Sequence, residues 1–302
     1  MMPFIHFTFW VLALLAVFVI FRLFGQYKVN TFQAIVFNYL TCAVTGFLTV
    51  GITPFQNVPT PLPTWFWVGI VVGGFFITTF YVIARSTQIA GIAITTLASR
   101  ISFFIPTLFS LFIFEISTRE WGFSNYLGVL LALASVGFAA YRPGMKTLDA
   151  SAIRLPIYVF LISGTIDTTF NYLSISILPA AFESIFSILL FGVAGLVGTL
   201  LILFRHFQGD RIKLKSVLWG IALGIPNYFS VYLMLVTLRD FGGDGAFVFP
   251  MYNILIIIFS TLISVFFFRE KLSRINFLGI GLALIAILLI VGWETVSAGI
   301  SL

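Results

Sequence analysis

Ten apolar stretches recur along this chain at a steady rhythm, at 7–24, 31–51, 64–84, 91–114, 122–141, 156–177, 181–204, 216–238, 245–268 and 276–293. A helical crossing of the bilayer core takes roughly 20 predominantly apolar residues, so the spacing predicts ten transmembrane helices. Short polar or Pro/Gly-bearing connections separate them, and no gap holds a soluble domain. The composition agrees, with 60% hydrophobic residues and only 9% charged ones, a balance that belongs to membrane proteins. The first stretch is read as a helix rather than a cleaved signal, because no Lys or Arg precedes it and no small-residue cleavage site follows.

The net charge of +6 could point to a nucleic-acid partner, but its placement argues otherwise. Odd-numbered connections carry Arg22 and Lys28, then Arg85, then Arg142, Lys146 and Arg154, then Arg205, Arg211, Lys213 and Lys215, then Arg269, Lys271 and Arg274. Even-numbered connections carry only Arg119 and Arg239. The positive-inside rule puts the odd connections in the cytoplasm and both termini on the far side. The charge therefore orients the chain, with RHFQGDRIKLK (205–215) also able to touch anionic lipid headgroups. No nucleic-acid partner is expected.

The chain also repeats itself. NYLGVLLAL (125–133) returns as NFLGIGLAL (276–284), TLFSLFIF (107–114) as TLISVFFF (261–268), GIVVG (69–73) as GIALG (220–224), and FQAIVFNYL (32–40) faintly as FESIFSILL (182–190). The offsets, 150 to 154 residues, are near half the chain length. Such matches imply a five-helix unit duplicated in tandem, 1–150 and 151–302. Because five is odd, the second copy enters the membrane from the opposite side, and inverted repeats of this kind are used by alternating-access carriers. The expected fold is an all-α polytopic membrane protein of ten helices in two inverted five-helix repeats.

With the repeat in place, the blocks FFFREKLSRINFLGIGLALIAILLIVG (266–292) and IPTLFSLFIFEISTREWGFSNYLGVLLALASVGF (105–138) resemble the drug/metabolite transporter superfamily, in its ten-helix EamA-like form. The resemblance implies a secondary transporter in a bacterial inner membrane. It also implies a substrate cavity among helices one, three, four, six, eight and nine. Many ten-helix relatives are described with cytoplasmic termini, which the charge distribution here contradicts.

Candidate site residues are the polar groups that bilayer depth makes costly. An ionised side chain at a helix centre costs about 2.5–3.5 kcal/mol on insertion scales, so it faces the bundle interior or a wet cavity and finds a partner. Arg100 in the fourth span and Asp167 in the sixth fit that description. Ser163, Asp167, Asn171 and Ser174 share one helical face; Thr96, Phe103 and Thr107 share the face of Arg100, with Pro106 placed to bend the helix. In one reading Arg100 anchors a carboxylate or phosphate and Asp167 is displaced, protonated or proton-coupled during the cycle; in the plainer one the two lock the repeats together as an ion pair. Tyr81 and Tyr232, at equivalent repeat positions, and Asn227 and Asn253, each near a proline, are further candidate lining residues. Glu183 is placed in the headgroup region and Glu115 at a helix end, each with coupling or gating as its functional alternative. The pairs Gly69/Gly73 and Gly220/Gly224 are read as close-packing faces, and Cys42, the single cysteine, as a packed small residue.

Enzyme classes find little support. FGGD (241–244) misses the first glycine of an intramembrane aspartyl protease, His6 and His206 lie far apart where a zinc protease needs two histidines on one helix turn, HFQGD (206–210) is one residue short of an acyltransferase spacing, and no P-loop is present. No metal or cofactor is expected, and no filter repeat suggests a channel. The expectation is a carrier of a small polar or anionic metabolite, amino acids included, acting as monomer or homodimer. The alternatives are a flippase for a lipid-linked phosphate and a non-transporting scaffold.

Overall fold

Regular structure along the chain is set by where its apolar runs stop. The structure is a computed structural model and describes residues 2–90, 92–116, 121–140, 154–267, 269 and 273–291. Among these, all regular structure is helical. In chain order the helices are α1 (Met2–Gln26), α2 (Thr31–Val50), the short α3 (Thr53–Gln56), α4 (Thr64–Ala90), α5 (Ile92–Ile101), α6 (Phe104–Phe112), α7 (Phe123–Ala140), α8 (Arg154–Tyr172), α9 (Glu183–Phe207), α10 (Leu214–Asp240), α11 (Gly245–Phe266) and α12 (Arg274–Val291). A π-helical turn, Leu173–Ile177, and a 3-10 turn, Ala180–Phe182, join α8 to α9. Every one of the ten apolar stretches holds a helix.

Among the described residues, seven helical stretches are long and apolar enough to cross a membrane: those of α1, α2, α5 with α6, α9, α10, α11 and α12. A chain built this way is an integral, multi-pass membrane protein. Shorter apolar runs occur in α4 and α7. The more polar character of α8 comes from Ser163, Thr165, Asp167, Thr168, Thr169 and Asn171.

The helices form two compact units, each drawing on both halves of the chain: Met1–Thr78 with Leu173–Asp240, and Thr79–Tyr172 with Phe241–Leu302. In the first unit, α2 packs against α9 and α10, and α1 against α10. The glycine pairs do what their spacing predicts. A Cβ at Gly220 would lie 2.6 Å from the Ala34 carbonyl oxygen, and one at Gly73 would lie 2.7 Å from the Leu190 carbonyl oxygen. These backbones approach too closely for any larger residue. Cys42 is buried beside the same contact, its thiol donating to the Gly224 carbonyl at 3.2 Å.

In the second unit, α7 and α12 run antiparallel and exchange equivalent contacts. Asn125 Nδ2 donates to the Leu289 and Ile290 carbonyls at 3.2 and 3.1 Å, and Asn276 Nδ2 donates to the Phe138 and Ala139 carbonyls at 3.2 and 3.0 Å. The two sets are related by an offset of 151 positions: Asn125 precedes Asn276 by 151, and Phe138 and Ala139 precede Leu289 and Ile290 by the same number. Both asparagines also cap their own helix start: the Gly122 N–H donates to Asn125 Oδ1 and the Ser273 N–H to Asn276 Oδ1, each at 3.0 Å. A contact in which i meets j and the equivalent of j meets the equivalent of i is isologous, with a local twofold relation.

The ends of α6 and α11 match in the same way. The Ile113 N–H donates to the Phe109 carbonyl and the Phe267 N–H to the Ile263 carbonyl. Two residues later Glu115 and Arg269 both turn left-handed, each with φ of 52°. Non-glycine residues seldom adopt that conformation, and it ends helices.

Candidate functional site

Arg100 owes its setting to a proline six residues away. Pro106 has no N–H to offer the Ser102 carbonyl, and its ring would crowd that oxygen in a continuous helix. The Ser102 carbonyl instead accepts from the Ile105 N–H at 3.0 Å, the Ser102 hydroxyl turns back to the Ser99 carbonyl at 2.7 Å, and the helix is interrupted between Ile101 and Phe104. Arg100 thus sits in the last turn of α5 at the interruption. Carrier sites are commonly built on discontinuous helices of this kind.

The interruption also changes which residues share a face. Thr96 is exposed, whereas Phe103 and Thr107 are fully buried, with the Thr107 hydroxyl donating to the Phe103 carbonyl at 2.8 Å. The single face predicted for Thr96, Phe103 and Thr107 does not form, because helical phase is not carried through the break.

Asp167 lies on α8, which packs on both α5 and α6. Its predicted stripe holds and deepens along the helix: Ser163 and Asp167 are half-buried, Asn171 is fully buried, and Ser174 is buried in the π turn. The turn closes with the Leu178 N–H donating to the Leu173 carbonyl at 2.9 Å. π turns concentrate at functional sites. Asn171 fills the space beside Gly245, at the start of α11, where any side chain would strike its amide.

The packing of α5 on α8 is what places Arg100 and Asp167 on neighbouring helices, and Tyr252 on α11 lies within electrostatic range of both. Next to it, Asn253 is buried; its Nδ2 donates to the Phe249 carbonyl at 3.0 Å, which fixes the amide orientation, and its Oδ1 has no hydrogen-bond partner among the described residues. The second unit thus carries a guanidinium, a carboxylate, a phenol and a buried amide acceptor on three of its helices, with the two charged groups half-buried. Such a set offers charge of both signs to a small solute. Tyr252 carries no spacing signal in the sequence, being one aromatic in an aromatic-rich helix.

The first unit holds a different polar cluster. Glu183, at the start of α9, is only 3% exposed, and Arg239 Nη2 meets its Oε1 at 2.6 Å. Arg239 also donates to the Leu178 carbonyl at 3.1 Å, and Asp240 beside it accepts from His6 on α1 at 2.6 Å. Glu183 is thus enclosed by protein. Tyr232 interacts with Glu183 and Arg239 and stacks on Tyr228 at 5.9 Å. Asn227 bonds Asn38 on α2 at 3.1 Å, tying α10 to α2. Glu115 is exposed at its left-handed helix end. The side chain of Tyr81 lies outside the described residues.

Arg239 stood out in the sequence as an exception to the charge bias of the connections, and that exception was the signal for an ion pair. Its partner is nearly inaccessible while its own side chain is 28% exposed. Replacing Arg239 with leucine strands the Glu183 carboxylate. Truncating a fully buried pair costs about 3–5 kcal/mol; with one partner partly solvated, about 2 kcal/mol is expected. Glu183→Gln, which leaves no buried charge, should cost less than half of that in the same thermal-unfolding measurement. Equal losses would mean that the pair carries no charge-burial penalty.

No protein-family model matches the chain. It is 26% identical over 290 residues to an uncharacterized protein of Haemophilus influenzae, covering 92% of this chain and 94% of that one. A crystal structure of another protein aligns with a TM-score of 0.69 at 17% identity, covering 95% of this chain and 96% of that one. At that identity the likeness speaks for the fold alone.

Proposed function

We propose that this chain is a secondary-active carrier that moves a small polar metabolite with an anionic group, amino acids among them, by alternating access. The observation that carries the reading is the packing of α5, which bears Arg100, on α8, which bears Asp167, in a membrane protein, beside an interrupted helix and a π turn. Charges held at bilayer depth are kept at a cost and mark substrate or ion pathways. In this reading Arg100 anchors the anionic group of the cargo, and Asn253 Oδ1 and Asp167 accept from its donors. Asp167 then serves as the group that binds and releases a coupling proton.

Ten spans in two inverted five-helix repeats supply the frame. The reciprocal Asn125 and Asn276 contacts, on antiparallel helices from opposite halves of the chain, support that duplication. Inverted copies give a carrier two related conformations, one open to each side.

The test is uptake and counterflow in liposomes holding the purified protein, across a panel of radiolabelled amino acids, small carboxylates, sugars and phosphate esters, with an undecaprenyl-phosphate translocation assay in parallel. Saturable movement of a carboxylate-bearing solute above empty liposomes is expected. Movement of the lipid-linked phosphate alone would favour a flippase, and no transport by folded protein would remove the carrier reading.

A further inference from the structure

The connection between α9 and α10 is exposed and strongly basic, yet it is held in place. Gln33, buried at the start of α2, grips it from both directions: its Nε2 donates to the Arg211 carbonyl at 2.9 Å, and its Oε1 accepts from the Lys213 N–H at 3.1 Å. Beside this clamp is a narrow recess lined by Asn30, Phe32, Gln33, Ile202, Arg205, Asp210 and Ile212.

Two cations there rest on rings. The Arg205 guanidinium lies 4.5 Å over Phe32, and the Lys215 ammonium 5.7 Å over Tyr27, which packs on Trp219. Between 205 and 215 four basic residues face one acid, Asp210, so the formal balance is +3. The same segment exposes large apolar side chains: Phe204 is 62% exposed, Phe207 86% and Leu214 72%.

These features belong to one kind of surroundings. Tyr and Trp favour the headgroup level, and basic pockets beside membrane helices take anionic headgroups. The exposed Phe and Leu side chains of this connection would be covered by acyl chains, which a free ion in water does not bring. We propose that the outer face of this clamped connection binds the phosphate headgroup of an anionic phospholipid, with Arg205, Arg211 and Lys213 supplying the charge and Phe204, Phe207 and Leu214 lying against its chains. The site is independent of the proposed carrier chemistry.

The experiment is native mass spectrometry of the full chain released from nanodiscs of equal phosphatidylglycerol and phosphatidylcholine, comparing wild type with R205Q/R211Q/K213Q and with a control of equal charge change, R85Q/R154Q/R274Q. Each basic residue near an anionic surface contributes on the order of fivefold. Wild type and control should therefore retain phosphatidylglycerol over phosphatidylcholine at least tenfold, and the first variant should lose that preference. Added phosphatidylglycerol should raise the thermal midpoint of wild type but not of that variant, a readout taken on folded protein. Equal retention of the two lipids by wild type would overturn the proposal. So would equal loss in both variants, or full displacement of the lipid by millimolar inorganic phosphate.

Discussion

Replacing Arg100 with alanine should lower transport of the identified cargo about a hundredfold at matched protein levels. A charged hydrogen bond is worth about 1.5–3 kcal/mol, and each 1.4 kcal/mol is tenfold. Loss of a guanidinium anchor to an anionic group therefore falls in the range of tenfold to somewhat over a hundredfold, with half-burial of the site placing it toward the upper end. The loss should appear mainly as a raised KM, since the anchor acts in binding.

Arg100→Lys keeps the charge but not the planar fork and should recover part of the activity, with roughly a tenfold deficit left. Thr96→Ala, one turn away but exposed, should stay within about twofold. Wild-type transport by Arg100→Ala at matched protein levels would remove Arg100 from the binding site while leaving the carrier reading in place.

Much of the helical framework could be read from the chain, because a bilayer-length apolar run leaves the backbone few ways to satisfy its hydrogen bonds. The matched motif NYLGVLLAL and NFLGIGLAL located the two glycines and two asparagines that hold α7 to α12. The site was harder to read. Arg100 and Asp167 were visible as isolated charges, but the repeat gave no help with them. At the offset of 154 that aligns TLFSLFIF with TLISVFFF, the counterpart of Arg100 is Ile254, a fully buried core residue. Matched positions carry packing contacts, and the candidate site falls where the two halves of the sequence differ.

What sequence could not supply was the break in the fourth span and the tertiary pairings. Pro106 indicated a bend, but whether a helix curves or stops depends on whether the freed carbonyl finds another donor. The Ile105 N–H supplied one to Ser102, and the helix stopped. Glu183 with Arg239, and His6 with Asp240, are joined only by the fold. Their separation in the chain hides them from any periodicity.

A single methyl group at Gly279 should be among the most damaging substitutions outside the candidate site. Its Cβ would lie 2.5 Å from the Ala139 backbone nitrogen and 2.9 Å from the Phe138 carbonyl carbon. Backbone cannot swing aside, so α7 and α12 would have to separate along a contact that also carries the asparagine bonds. Overpacking typically costs about 1–3 kcal/mol, and the absence of any flexible neighbour puts Gly279→Ala near 3 kcal/mol. The equivalent Gly128→Ala meets the Ile290 Cγ1 atom first, at 2.8 Å. That side chain can rotate, so about half the loss is expected. Gly281→Ala, two residues along the same helix with nothing within 4 Å, should be neutral. Asn125→Ala and Asn276→Ala each lose the two reciprocal bonds and a cap bond and should destabilise by about 1.5–4 kcal/mol, Asn276→Ala the more because its Oδ1 also accepts from the Ser273 hydroxyl at 2.8 Å. Thermal unfolding of the five variants in one detergent would test the set. A harmless Asn125→Ala or a harmless Gly279→Ala would mean that the twofold relation between α7 and α12 is geometric without being energetic, and the case for a duplicated frame would lose its firmest local support.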